Sequence, residues 1–173
     1  QMHFKLSFFL FLFSLFYSLQ AQENFPEDYF GIYKGTLLVS APQGTKEYAM
    51  EFHLQATDSL GKYQYTLVYG DGDQRQERPY FLIAKDASKG KYIIDEDNGI
   101  ILDAQQFDNH LYSLFEVNNN LLTTFISFEA DHMVFEITVA SREQQQTTYA
   151  TEDQTEVISY PITTRQKAIL MKE

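Results

Sequence analysis

The chain has no cysteine, no tryptophan, four prolines and eight glycines in 173 residues. Without cysteine there is no disulfide, no thiol nucleophile, no thiolate metal site and no cysteine for lipid attachment, so a lipoprotein is excluded. An apolar core must hold the fold by itself. Positive charge is scarce as well: 13 Lys and Arg stand against 24 Asp and Glu, a formal charge of −11. Such a surface repels phosphate backbones and anionic headgroups, which argues against nucleic-acid binding and against electrostatic docking on a membrane. Metalloprotease (HExxH) and nucleophile-elbow (GxSxG) spacings are missing. Helical spacing of three and four is hard to find beyond residue 22.

What is present begins with a leader. Met2, His3 and Lys5 make a short basic start, residues 6–19 are an almost unbroken Phe/Leu run, and Ser18-Leu19-Gln20-Ala21 ends in the small residue that a signal peptidase needs. That run is well short of the ~20 residues of a membrane span, and no second run follows it. Residues 1–21 are therefore read as a secretory signal peptide, 22–29 as a short acidic lead and 30–173 as a single β-barrel domain. The reading places a soluble, monomeric product outside the cytoplasm with no stable membrane insertion. A cysteine-free exported chain fits a bacterial periplasmic or secreted protein best.

The remainder alternates with period two. Tyr48, Met50, Phe52 and Leu54 are interleaved with Glu47, Glu51, His53 and Gln55, as in a strand with one face in a core and one in water. Tyr63, Tyr65, Leu67 and Tyr69 repeat the pattern, as do Met133, Phe135, Ile137 and Val139. Turn residues separate such runs every eight to fifteen residues, and Asn98-Gly99 is the strongest single hairpin signal. Strands are expected near 30–40, 46–56, 62–70, 76–85, 90–95, 99–106, 109–117, 121–128, 132–140 and 156–171, the last breaking at Pro161. A meander of that many strands cannot lie flat with two open edges, so the expected fold is all-β: an antiparallel up-and-down barrel of about 8–10 strands. Polar residues 141–155 read as a solvated loop or extended hairpin, or as a lid over the barrel mouth.

The start of the first strand, Phe30-Gly31-Ile32-Tyr33-Lys34-Gly35-Thr36-Leu37, resembles the opening of calycin-type barrels: lipocalins, fatty-acid-binding proteins and nitrobindin-like haem barrels. In those families a glycine, a spacer and a tryptophan open the first strand, and the aromatic plugs the closed end under a basic side chain from the last strand. The resemblance assigns those places to Gly31 and Tyr33, with Arg165 or Lys167 as the cation; this chain departs in having tyrosine where the pattern has tryptophan. For the nitrobindin-like branch it implies haem ligation, through His110.

Chemistry-bearing residues are otherwise scattered. His53, His110 and His132 fall on different strands or turns, and Glu51 with His53 would need a third metal ligand from elsewhere. The acidic turn at 95–100 is one residue out of register for a calcium loop. Glu116 and Glu136 read as outward residues of amphipathic strands. No catalytic residue, metal site or cofactor is assigned, and an enzyme built from distant residues, an isomerase or hydrolase, is the least favoured class. Tyrosine stands out, with Tyr48, Tyr63, Tyr65, Tyr69 and Tyr112 on inward or rim faces, where a ring with a hydroxyl suits an apolar pocket that must also hold one polar group. The leading expectation is a non-enzymatic barrel that binds a small hydrophobic or amphipathic ligand, its pocket formed by Met50, Phe52, Tyr65, Leu67, Tyr112, Phe125, Phe135 and Ile137. The alternative is a cell-envelope interaction or scaffold domain with a filled core, meeting an envelope protein.

Overall fold

Alternation in sequence becomes alternation in burial. Along β2 (Gly44–Ala56), Met50, Phe52 and Leu54 are buried while Glu51, His53 and Gln55 keep solvent contact. The same period holds around the molecule, and in the computed structural model, which describes residues 24–173, it closes into a barrel. The other strands are β1 (Gly31–Ala41), β3 (Lys62–Tyr69), β4 (Gln76–Asp86), β5 (Lys91–Asp95), β6 (Ile101–Phe107), β7 (His110–Val117), β8 (Asn120–Phe128), β9 (His132–Ser141), β10 (Gln146–Tyr149), β11 (Glu156–Ser159) and β12 (Ile162–Lys172). Ten of them form one closed antiparallel sheet in the order β1-β12-β9-β8-β7-β6-β5-β4-β3-β2. Every connection in it is a hairpin to the next strand, apart from the excursion between β9 and β12, where β10 and β11 pair only with each other. Closure removes the two open edges that a meander of this length would otherwise expose.

Residues 142–155 thus contribute to an extended hairpin, with β10 and β11 solvent-exposed along their whole length. The expected break at Pro161 falls between β11 and β12. One turn differs from expectation. Asn98-Gly99 is not a two-residue hairpin: positive φ falls at Asp97 (56°) and Gly99 (97°), and the Glu96 N–H donates to the Ile100 carbonyl across the turn at 3.0 Å. The two-residue turn with both central φ angles positive is Asn118-Asn119 (48° and 59°), between the paired residues Val117 and Asn120. Asparagine tolerates that conformation better than most side chains. The leader at residues 1–21 lies outside the described residues.

The barrel has a closed end and an open end. At the closed end Tyr33 is fully buried, its hydroxyl donating to the Tyr29 carbonyl at 2.6 Å. The lead segment is packed against this end. Phe25 sets its ring against Tyr92 (5.3 Å between centroids), Phe128 (5.7 Å) and Tyr29 (6.1 Å), while the hydroxyls of Tyr92 and Tyr63 donate to the Phe25 carbonyl and the Glu27 carboxylate. Phe52, Phe128, Met133, Phe135 and Leu170 fill the interior above it.

Among the described residues, one apolar residue is fully buried on the outside. Val68 pairs across the sheet with Glu51 and Glu77, and Arg75 joins those two carboxylates.

Candidate ligand-binding site

Above the core the barrel is hollow. Inward residues of its open half enclose a cavity of about 480 Å³ that opens to solvent at the end opposite Tyr33. A volume of that size is in the range of small-molecule pockets and far above the voids of a filled core. Leu37 and Val39 of β1, Leu67 of β3, Ile94 of β5 and Leu102 of β6 make part of its wall. Phe115 and Val117 of β7, Leu122 of β8, and Phe135 and Ile137 of β9 complete the apolar part. Polar groups enter from Tyr48, Tyr65, Tyr69, Arg78, Tyr80, Glu96, Thr124 and Gln166. No residue of the β10–β11 hairpin lines it.

The tyrosines are held in place by their neighbours. Tyr65, 2 % exposed, meets Phe52 edge to face with centroids 4.8 Å apart. Its register partner is Tyr80. The Arg78 guanidinium stands 5.3 Å from the centre of the Tyr69 ring. Burial pushes the Tyr69 hydroxyl up to about 12 and the Tyr65 hydroxyl higher, so both are neutral donors and acceptors across the physiological range. Tyr80 is raised by burial too, its hydroxyl lying within reach of the Glu96 carboxylate and the Arg78 guanidinium.

Of the residues expected to form the pocket, Tyr65, Leu67, Phe135 and Ile137 line the cavity. Met50 and Phe52 point inward in the packed core and are at most 1 % exposed. Tyr112 and Phe125 are corrected: they are register partners on the outer surface of the barrel. There they join Phe107 and His110 in an external aromatic cluster, with Tyr112 and Phe125 centroids 5.2 Å apart and His110 5.3 Å from Phe125. The reason is visible in β7 and β8, where both faces carry large apolar side chains and alternation alone does not say which is inner. With His110 outside, haem ligation by it within the barrel is ruled out on geometry.

Gly31 and Tyr33 stand at the closed end, but the cation there is neither Arg165 nor Lys167. Lys172, the register partner of Tyr33, brings its Nζ to 5.8 Å from the Tyr33 ring centre. Arg165 is exposed on the outer face, and Lys167 pairs outside with Glu136 at 3.1 Å. His53 contacts Glu51 at 2.8 Å and His132 contacts Asp131 at 2.7 Å. Among the described residues no group of three or more His, Asp or Glu is placed to hold a metal ion.

Arg78, Tyr80 and Glu96 were missed in the sequence. The signal for the first two is weak but present, because Arg78, Tyr80, Leu82 and Ala84 share one face of β4 and Leu82 is fully buried. Glu96 lies just past the end of β5, where period-two reading stops.

No family model matches the chain, and no curated protein sequence does. Among solved structures, the S-type phycobiliprotein lyase CPES from Guillardia theta superposes with a TM-score of 0.57 at 9 % identity, over 85 % of this chain and 89 % of that one. The fold is a calycin-like barrel. At that identity the likeness is one of fold, and the calycin-like barrel reached from Gly31 and Tyr33 is the one the strands form.

Proposed function

We propose that this calycin-like barrel is an exported, non-enzymatic carrier or sensor that binds one small hydrophobic or amphipathic molecule in its open half. The cavity of about 480 Å³ carries this reading, because its wall combines apolar side chains with tyrosine hydroxyls and a few other polar groups that can orient a ligand. Binding would come from burying ligand surface at roughly 25 cal/mol per Å², with tyrosine hydroxyls orienting the polar part. An open cavity favours this over a filled-core scaffold. The similarity to a lyase for phycobiliproteins is compatible with a ligand-holding barrel. The leader-like residues 1–21 support export into the periplasm or medium.

The test is native mass spectrometry of protein purified gently from cells expressing the full chain, with solvent extraction of any bound mass and fractionation of the culture. A stoichiometric adduct, or uptake of the apolar dye anilinonaphthalene sulfonate into the emptied barrel, supports the carrier. A clean mass with no dye uptake overturns it. Protein confined to the cytoplasm with its leader intact overturns the export part.

A further inference from the structure

The polar groups of the cavity are not spread around its wall. Tyr65 and Tyr69 of β3, Arg78 and Tyr80 of β4, and Glu96 just beyond β5 occupy one contiguous side, with Tyr48 of the neighbouring β2 at the rim. Across from them, β7 and β9 contribute only Phe115, Val117, Phe135 and Ile137, and β1, beside β2, adds Leu37 and Val39. On that side the polar groups are Thr124 of β8 and Gln166 of β12. The polar side also has unused capacity. Tyr65 is 2 % exposed, it lines the cavity, and no described residue forms a hydrogen bond with its hydroxyl. Tyr69 is likewise without one, although it lines the same cavity. These hydroxyls face the open cavity, since no buried side-chain polar atom among the described residues is without a partner, and a ligand atom that bonds to them takes the place of water there.

We infer that the cavity is shaped for a flat, ring-containing molecule that carries several hydroxyl or carbonyl groups along one edge and is apolar on the other. A ligand with a single polar head and an alkyl tail would satisfy one end of the polar side and leave the remaining hydroxyls against hydrocarbon. The volume holds on the order of 20 non-hydrogen atoms, the size of a two- or three-ring compound. Arg78 and Glu96 of opposite charge flank Tyr80, so the mouth offers no net charge to an ionic head group. This inference rests on the carrier reading above and adds the ligand class to it.

The probes are chrysin, a flat three-ring compound with two hydroxyls and a carbonyl on one side and an unsubstituted phenyl ring on the other, and dodecanoate, with one head and one tail. Titration calorimetry on the intact protein, with anilinonaphthalene sulfonate displacement as a second readout, compares wild type, Tyr65→Phe and Tyr69→Phe. Phenylalanine keeps the ring contact with Phe52 and removes only the hydroxyl. Chrysin is expected to bind at least tenfold more tightly than dodecanoate, and each substitution to weaken chrysin by about three- to tenfold while leaving dodecanoate unchanged. Tighter binding of dodecanoate, or chrysin affinity indifferent to both substitutions, overturns the edge-polar ligand while dye uptake keeps the carrier reading. Failure of both probes and of the dye overturns the two together.

Discussion

The Nζ of Lys172 lies 5.8 Å from the ring centre of Tyr33, so the last strand supplies a cation above the aromatic that closes the barrel. The two are register partners on β12 and β1, the pair of strands whose contact closes the sheet. The Tyr33 hydroxyl in turn holds the Tyr29 carbonyl of the lead segment, so one side chain ties sheet closure to the plug beneath it. Tyr33→Phe keeps the ring and loses that bond, and is expected to cost about 1–2 kcal/mol in urea unfolding. Tyr33→Ala also leaves a cavity in the core and is expected to cost about 3–5 kcal/mol. Equal costs for the two would show that the hydrogen bond carries the whole effect and the ring none.

Two glycines of β1 separate steric demand from sequence pattern. A Cβ on Gly31 would come 2.8 Å from Cε of Lys172, the end of a flexible side chain that can swing aside. On Gly35 it would come 2.5 Å from the backbone oxygen of Ile169, which moves only if β1 and β12 separate. Gly31→Ala is therefore expected to change stability by less than about 1 kcal/mol and Gly35→Ala to cost about 2 kcal/mol or more. The motif that suggested the fold contains both glycines, and the second constrains closure more tightly.

The barrel was legible because β2, β3 and β9 alternate cleanly, with Met50, Phe52, Tyr65 and Phe135 inward and polar residues outward. The site was only half legible. Tyr112 and Phe125 lie on strands whose outward faces also bear Leu114 and Leu121, so the period was right and the face was not. The closing cation was misplaced for a related reason: which basic residue of β12 reaches Tyr33 is set by the β1–β12 register, and nothing local encodes it. The polar side of the cavity is set by the β3–β4 register, which pairs Tyr65 with Tyr80 and Leu67 with Arg78.

Acid stability should depend on the outer network over Val68. Burial by itself would raise the Glu51 carboxyl, but the hydrogen bond with His53 and the nearby charges of Arg75 and Lys34 outweigh it and hold the group below its ordinary value of 4.5. A carboxylate depressed in the folded state contributes stability that is complete above its unfolded value and is lost as pH falls through the folded one. Wild type should therefore lose unfolding free energy below about pH 4.5 more steeply than Glu51→Gln, with the two curves parallel at higher pH. Parallel curves throughout would show that the network contributes nothing.

At the alkaline end the sign reverses. Burial pushes Tyr33 and Tyr69 up to about 12 from 10.0, and raises Tyr65 further. The unfolded chain releases these protons first, so their contribution is complete below 10 and falls as pH rises toward the folded values. Ultraviolet titration at the tyrosinate band should show a late phase coincident with loss of folded β-structure. In Tyr65→Phe and Tyr69→Phe the late phase should shrink. A single phase at ordinary values would mean the interior rings are open to water.

Filling the cavity should separate binding from stability. Ile137 lines it from β9 and is only partly buried, so a phenylalanine there extends into open volume instead of into packed atoms. Overpacking usually costs about 1–3 kcal/mol because neighbours must move, and that penalty is absent where about 480 Å³ is free. Ile137→Phe is expected to keep the urea midpoint within error or raise it, while weakening dye uptake by about tenfold or more. Phe135→Ala, one inward position earlier on the same strand and 1 % exposed, should do the reverse: lose about 3–5 kcal/mol and enlarge the space that a dye can enter. Dye affinity unaffected by Ile137→Phe would place the bound molecule on the outer aromatic cluster of Phe107, Tyr112 and Phe125, and Tyr112→Ala would then abolish the uptake.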